Sequence, residues 1–182
     1  MTIALWLLAI QGVIGAFDTL YYHEWRAQLP ARVPATATEL KLHAARDFFY
    51  AVLFGTLPLI AWQGWWVMAL TAVIIAEIIL TLTDFVIEIS ARKSFGDVYA
   101  GERVTHCIRG ILYGAMVANL IPVLYHWWQL PTAIVFAPPE IPLLLRYALL
   151  AMAVGVSLSG LRDLYAALGL PYGHIPWKAL SG

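Results

Sequence analysis

The sequence predicts an all-α, polytopic membrane protein with five transmembrane helices, and three observations predict it. Of 182 residues, 62% are hydrophobic and only 12% charged, about half the ~25% charged content of soluble domains. Mean hydropathy is +0.76. The apolar residues fall in stretches of roughly 20 or more, the length a helix needs to cross a bilayer. None of them alternates with the period of two that marks a strand.

The first stretch, 2–25, has no basic residue before it. A cleaved leader would carry a positive head, so a retained helix is expected. A linker over 26–38 contains Pro30 and Pro34. Thr36-Ala37-Thr38-Glu39 then has the capping-box pattern that starts a helix, and the second span runs to about residue 62. Gln63-Gly64 makes a turn, 65–90 is the third span, 91–101 a second polar linker and 102–126 the fourth span. Pro131, Pro138, Pro139 and Pro142 exclude a continuous helix over 130–142, so a loop on the membrane interface is expected there. The fifth span, 143–168, stops at Gly169-Leu170-Pro171. The whole chain, 1–182, is expected to be one membrane domain.

Basic residues set the expected orientation. Arg26, Arg32, Lys41, Arg46, Arg92, Lys93, Arg103 and Arg109 all belong to the two polar linkers and the helix ends beside them. Arg162 and Lys178 fall on the same side, and Arg146 opposite. That side is expected to be the cytoplasmic face of the inner membrane, with the N-terminus outside and the C-terminus inside. Trp62, Trp65, Trp66, Trp127 and Trp128 mark the outer interface. Eleven basic residues balance eleven acidic ones, so no global field attracts nucleic acid. The single Cys107 excludes an internal disulfide or a CxxC motif.

One pattern occurs twice. Glu39, His43, Arg46 and Tyr50 are spaced Glu-x3-His-x2-Arg-x3-Tyr, and so are Glu102, His106, Arg109 and Tyr113. On a helix turning about 100° per residue, each set lies within roughly 60°. The preceding spans repeat too: Asp18 and Asp84 are each followed eight residues later by arginine, and seven residues before them stand Gln11 and Glu77. Two hairpins of one kind are therefore expected, repeat A over about 2–62 and repeat B over about 65–126, with the fifth span unpaired. A pseudo-two-fold axis along the membrane normal would gather their polar ends.

Asp18, Glu39, His43, Asp84, Glu102 and His106 then form two symmetric sets of metal-ligand types. The logic is shared with di-iron and di-manganese carboxylate bundles, which use Glu-x2-His. The spacing here is Glu-x3-His, so only the geometry is comparable. Iron, manganese or zinc would suit such ligands. Arg46 and Arg109 would orient carboxylates or hold an anionic group. Tyr50 and Tyr113, at a depth similar to Glu77, are expected to hydrogen-bond Glu77 or Gln11; the functional alternative makes Glu77 a protonated carboxyl serving acid–base chemistry with them. These features point to a metal-dependent enzyme acting on an apolar, lipid-like or quinone-like substrate from the bilayer.

Two other expectations compete. In one, the charged ends form a salt-bridge network in a non-enzymatic accessory subunit or small carrier, with a partner subunit or second copy. In the other, the arginines hold a lipid phosphate ester. Asp47 and Glu88, present in one repeat only, are expected to support the stripe; His23 and Glu24 are expected to be solvated, and His126 and His174 to be structural.

Overall fold

The structure is a computed structural model describing residues 1–177; Lys178, one of the basic residues used for orientation, lies outside them. Among these residues the regular structure is helical apart from two short strands. Helix α1 (Thr2–Phe17) continues without a break as a π-helical segment, Asp18–Arg26, and a short 3-10 turn covers Leu29–Arg32. Then follow α2 (Ala37–Thr56), β1 (Ile60–Gln63), α3 (Trp66–Ala91), α4 (Ala100–Trp128), β2 (Ala133–Phe136) and α5 (Leu143–Ala167).

Four helices are long and apolar enough to cross a membrane: Thr2–Arg26, α3, α4 and α5. Helix α2 falls short because Glu39, Lys41, Arg46 and Asp47 crowd its first half. The same helix buries Glu39, His43 and Arg46. What disqualifies it as an apolar span is what it contributes to the interior.

Three local expectations are corrected. Helix α2 ends at Thr56 rather than near residue 62. The chain beyond it extends, and β1 pairs antiparallel with β2 from Ile60↔Phe136 to Gln63↔Ala133. The expected turn and interfacial loop thus join in one ribbon; four-residue strands are too short to display an alternation. Gly64 is required at its end, with φ +57° and a would-be Cβ only 2.4 Å from Thr132 Oγ1. Finally, the capping box does not form. Thr36 Oγ1 donates to Leu29 O at 2.7 Å, and Glu39 is drawn inward by Arg92.

Helix α1 packs along α4, and α2 lies between α3 and α5, whereas α3 and α4 barely touch. Each helix of one hairpin therefore finds its main partner outside that hairpin. Leu5, Leu8, Leu53, Phe54, Leu70, Met116, Leu120 and Leu149 fill the core. Helix α5 approaches α2 closely at Gly160, where a Cβ would lie 3.1 Å from Ala44 O.

This packing brings five helix termini to one end, where the two polar linkers close over them. The Arg26 guanidinium lies 4.7 Å from the Tyr99 ring centre, and that of Arg32 lies 4.5 Å from Phe95. Beneath them Ala27, Leu29, Leu40, Ala166 and Ala167 make a second apolar cluster. Charged side chains under that cap are shielded from the linker side.

A buried carboxylate and histidine cluster

Under the cap, two matched sets of contacts run between the hairpins. Asp18 Oδ2, at the end of the α-helical part of α1, lies 3.2 Å from His106 Nε2 and 2.9 Å from Arg109 on α4. Asp84 Oδ2, near the end of α3, lies 3.2 Å from His43 Nε2 and 2.9 Å from Arg46 on α2. Each Asp thus meets the His and Arg of the other hairpin, at the same distances. The i,i+3 spacing of His and Arg puts both on the face that receives it.

Between the two sets sits Arg92, fully buried. Its Nε and Nη2 donate to Glu39 Oε1 at 2.8 and 2.5 Å, and its Nη1 donates to Glu102 Oε1 at 2.6 Å. Burial would weaken its charge, but the Glu39 carboxylate, followed by Glu102, holds its proton more tightly than an ordinary arginine's. The backbone fixes it as well, since Arg92 O accepts from Phe95 N at 3.0 Å and Asp97 N at 3.1 Å. One guanidinium thereby joins the first turns of α2 and α4.

His23 departs from expectation. It is buried, not solvated, with Nε2 3.1 Å from Glu102 Oε1 and 3.8 Å from Asp18 Oδ2. Its ring stacks on His43 with centres 4.6 Å apart and planes at 11°. The cause is local winding. In an α-helix the fifth residue after Asp18 would stand about 140° around the axis. The π-helical segment hydrogen-bonds i to i+5, which returns that residue to nearly the same face. Helix α3 stays α-helical, so there the fourth residue after Asp84 turns inward: Glu88 Oε1 lies 3.5 Å from His106 Nδ1. The fifth, Ile89, faces outward. Glu24 is also not free; it takes Arg162 and accepts from Trp177 Nε1 at 3.0 Å.

Asp18, His23, Glu102 and His106 consequently form a buried quartet whose ligand atoms all lie within 4.8 Å of one another. A tetrahedral ion with bonds of ~2.1 Å would need its ligands about 3.4 Å apart, and the closest approaches here are 3.1, 3.2 and 3.8 Å. In two of the three buried rings, His106 of the quartet and His43 outside it, the second nitrogen also faces a carboxylate. His106 has Glu88, and His43 has Asp163 at 3.9 Å. Carboxylates on the far ring nitrogen are what orients and strengthens metal-ligating histidines.

No family model, curated protein or solved structure matches this chain. The chemistry of the cluster therefore rests on its own geometry.

Charge balance is part of that geometry. Buried here are Asp18, Glu39, Asp84, Glu88, Glu102 and Asp163, facing three guanidiniums (Arg46, Arg92 and the largely buried Arg109) and three imidazoles (His23, His43, His106). The arginines leave three negative charges for the imidazoles or a bound cation to offset. Among the described residues, Glu39 Oε2, Asp84 Oδ1, Glu88 Oε2 and Glu102 Oε2 make no hydrogen bond. Buried polar atoms seldom go without partners.

Glu77, Tyr50 and Tyr113 lie deeper, where Tyr50 and Tyr113 meet edge to face at 6.1 Å. Gln11 Nε2 donates to Tyr50 Oη, and Glu77 Oε1 accepts from Thr81 Oγ1 at 2.8 Å. Two cavities flank this level. One of about 280 Å³ opens between α1, α2 and α5 past Gly12, Gly15 and Met152. The other, about 260 Å³, opens between α3 and α4 past Leu82, Phe85 and Gly114, and reaches His106. Of the eleven residues singled out from sequence, Asp18, Glu39, His43, Arg46, Asp84, Glu102, His106 and Arg109 meet in the cluster, and Tyr50, Glu77 and Tyr113 line the cavities beside it. Sequence reasoning missed His23 and Arg92's central place. The eight-residue spacing marked Arg92 as one of a pair with Arg26, but Arg92 lies between Glu39 and Glu102 while Arg26 lies outside on Tyr99.

Proposed function

We propose that the protein is a metal-dependent membrane enzyme acting on an apolar, lipid-like or quinone-like substrate that arrives from the bilayer. The observation that carries this reading is the quartet Asp18, His23, Glu102 and His106 with Glu88 behind His106. Two carboxylate and two imidazole ligands suit iron, manganese or zinc. Supporting it are the unpartnered buried atoms and the disposition of the approaches. The linkers close the polar end, while the cavities open on helix flanks where Leu20, Ile78 and Leu82 are exposed. Metal analysis of protein purified in detergent without chelator tests the reading. One ion per chain is expected, lost in Asp18→Asn and His106→Ala; a metal-free wild type would sink it.

The reading includes five spans, with α2 crossing under cover of α3 and α5, and two hairpins that are copies of one unit. It also places the linkers in the cytoplasm. A single thiol at Ser94→Cys or Ala137→Cys, in a Cys107→Ser background, reads the side by labelling intact cells with an impermeant maleimide. The thiol at 137 is expected to react and that at 94 to stay silent; the reverse would overturn the orientation.

A second reading has a specific observation behind it. Arg92 already bridges Glu39 and Glu102, and Arg46 and Arg109 already hold Asp84 and Asp18. The cluster would then clamp helix ends together in a non-enzymatic subunit or carrier. A chain without stoichiometric metal, in which removal of both ends of an Asp–Arg pair restores the folding that single removal destroys, would favour it. The phosphate-ester reading has no such observation behind it: Arg46, Arg92 and Arg109 each already meet a carboxylate.

A further inference from the structure

The π-helical segment needs a hold that its own sequence does not supply. Such winding is rare and is mostly confined to a single turn, yet here it covers nine residues, Asp18–Arg26. It also decides where His23 stands. Wound as an α-helix from Asp18, the chain would carry that ring about 140° around the axis and out of the cluster.

One hold comes from outside the cluster. Beyond α5 the chain turns at Gly169, whose φ is +66°, and folds back against the end of that helix as a strap. Two α5 side chains one turn apart fasten it. Tyr165 Oη donates to Pro171 O at 3.0 Å, and Arg162 Nη2 donates to Ile175 O, also at 3.0 Å. Gly173 lets the strap lie close, since a Cβ there would stand 2.9 Å from Ala166 Cα. At Trp177 the strap reaches the π-helical segment. Trp177 Nε1 donates to Glu24 Oε2 at 3.0 Å, Arg162 Nη2 donates to the same oxygen at 2.9 Å, and Arg162 Nη1 takes Oε1. Glu24 is therefore gripped by three hydrogen bonds, all from α5 and its strap, and it is the residue next to His23. Adjacent side chains on a helix keep a fixed angle to one another, so pinning Glu24 on α5 aims His23 at Glu102.

We propose that Arg162 and Trp177 are positioning residues: by gripping Glu24 they keep the segment in its π winding and His23 inside the cluster. Release of the strap lets the segment rewind and His23 leave. The proposal rests on the metal reading for what His23 does there, and names what holds one of the four ligands in place. With the strap released three ligands remain, the number that catalytic zinc sites keep beside an open position. Glu24 lies outside the quartet and its side chain is 15% exposed, so the grip can be loosened without stranding a fully buried charge.

The test treats full-length protein in nanodiscs with diethyl pyrocarbonate, which modifies accessible imidazoles, and locates the label by peptide mass spectrometry. Metal content is measured on the same samples. His23 and His106 are both buried and are expected to label slowly in the wild type. Trp177→Phe, which removes one N–H, is expected to raise labelling of His23 about fivefold, and Arg162→Leu about tenfold, the worth of the hydrogen bonds lost. His106 should be unchanged in both. Arg162→Lys, which keeps a cation at Glu24, should restore part of the protection. If Arg162→Leu exposes His106 as well, that variant has unfolded and Trp177→Phe decides. Slow labelling of His23 in every variant, or an equal rise at His106 in Trp177→Phe, would overturn the proposal. Selective labelling of His23 in variants of a protein that holds no metal would sink the metal reading and leave the strap's role standing.

Discussion

Arg92→Met is expected to destabilise the bundle by about 3–5 kcal/mol, the range seen when one partner of a buried ion pair is removed. The magnitude follows from position. Arg92 is fully buried and is the shared partner of Glu39 and Glu102, themselves fully buried at the first turns of α2 and α4. Removing it leaves two carboxylates facing each other across the axis under a cap that blocks water. The measurement is thermal unfolding in detergent. Arg92→Lys should recover only part of the loss, because an ammonium cannot reproduce a fork that reaches both acids. Combining Arg92→Met with Glu39→Gln and Glu102→Gln should recover more, since it removes the stranded charges along with the cation. Wild-type unfolding of Arg92→Met alone would show that the axis is not held by this residue.

His23→Ala is expected to lower metal affinity at least 100-fold, and His43→Ala to leave it nearly unchanged. Sequence symmetry predicts the opposite weighting, because His43 belongs to the duplicated stripe and His23 does not. The π-helical segment overrides that symmetry by turning His23 onto Glu102 and Asp18, so that one half of the cluster holds four ligands close together. His43, in the other half, has Asp84 at 3.2 Å but Glu39 at 4.0 Å, with Glu39 committed to Arg92. Titration of metal-stripped variants reads the difference. Equal losses in both would mean that the ion lies between the halves, and a loss in His43→Ala alone would place it in the wrong one here. Glu88→Ala, removing the carboxylate behind His106, should cost about 10–100-fold, the usual price of a lost outer-shell partner.

Much of this was legible in the sequence, and the limits have physical causes. Asp18, Asp84 and the two Glu-x3-His-x2-Arg-x3-Tyr stripes could be placed at one end of the bundle because an α-helix has a fixed period and antiparallel connections fix the ends. That the Asp of one hairpin meets the His and Arg of the other could not be read, since spacing along a helix says nothing about which neighbour it packs on. His23 was hidden for a sharper reason. Its inward turn depends on a switch from i,i+4 to i,i+5 hydrogen bonding at Asp18, and Asp-Thr-Leu-Tyr-Tyr-His carries no residue that demands it. Arg92 looked like an ordinary cytoplasmic arginine, because positive-inside bias and an axial ion pair leave the same letter in a linker. The capping box at Thr36 was a real local signal that lost to a stronger long-range one, Glu39 being drawn to the guanidinium instead.

The cross-pairing of hairpins has a consequence for how the chain is made. Asp18, Glu39, His43 and Arg46 are all translated before any of their partners at Asp84, Arg92, Glu102, His106 and Arg109. A charge near a helix centre opposes insertion by about 2.5–3.5 kcal/mol, so on the five-span reading proposed above α2 is a segment the bilayer would reject by itself. On that reading its stay in the membrane depends on α3 arriving beside it and α5 closing its other flank. Biogenesis would then be a late, collective event, in which the most charged helix is admitted only once the sequence that neutralises it has been synthesised.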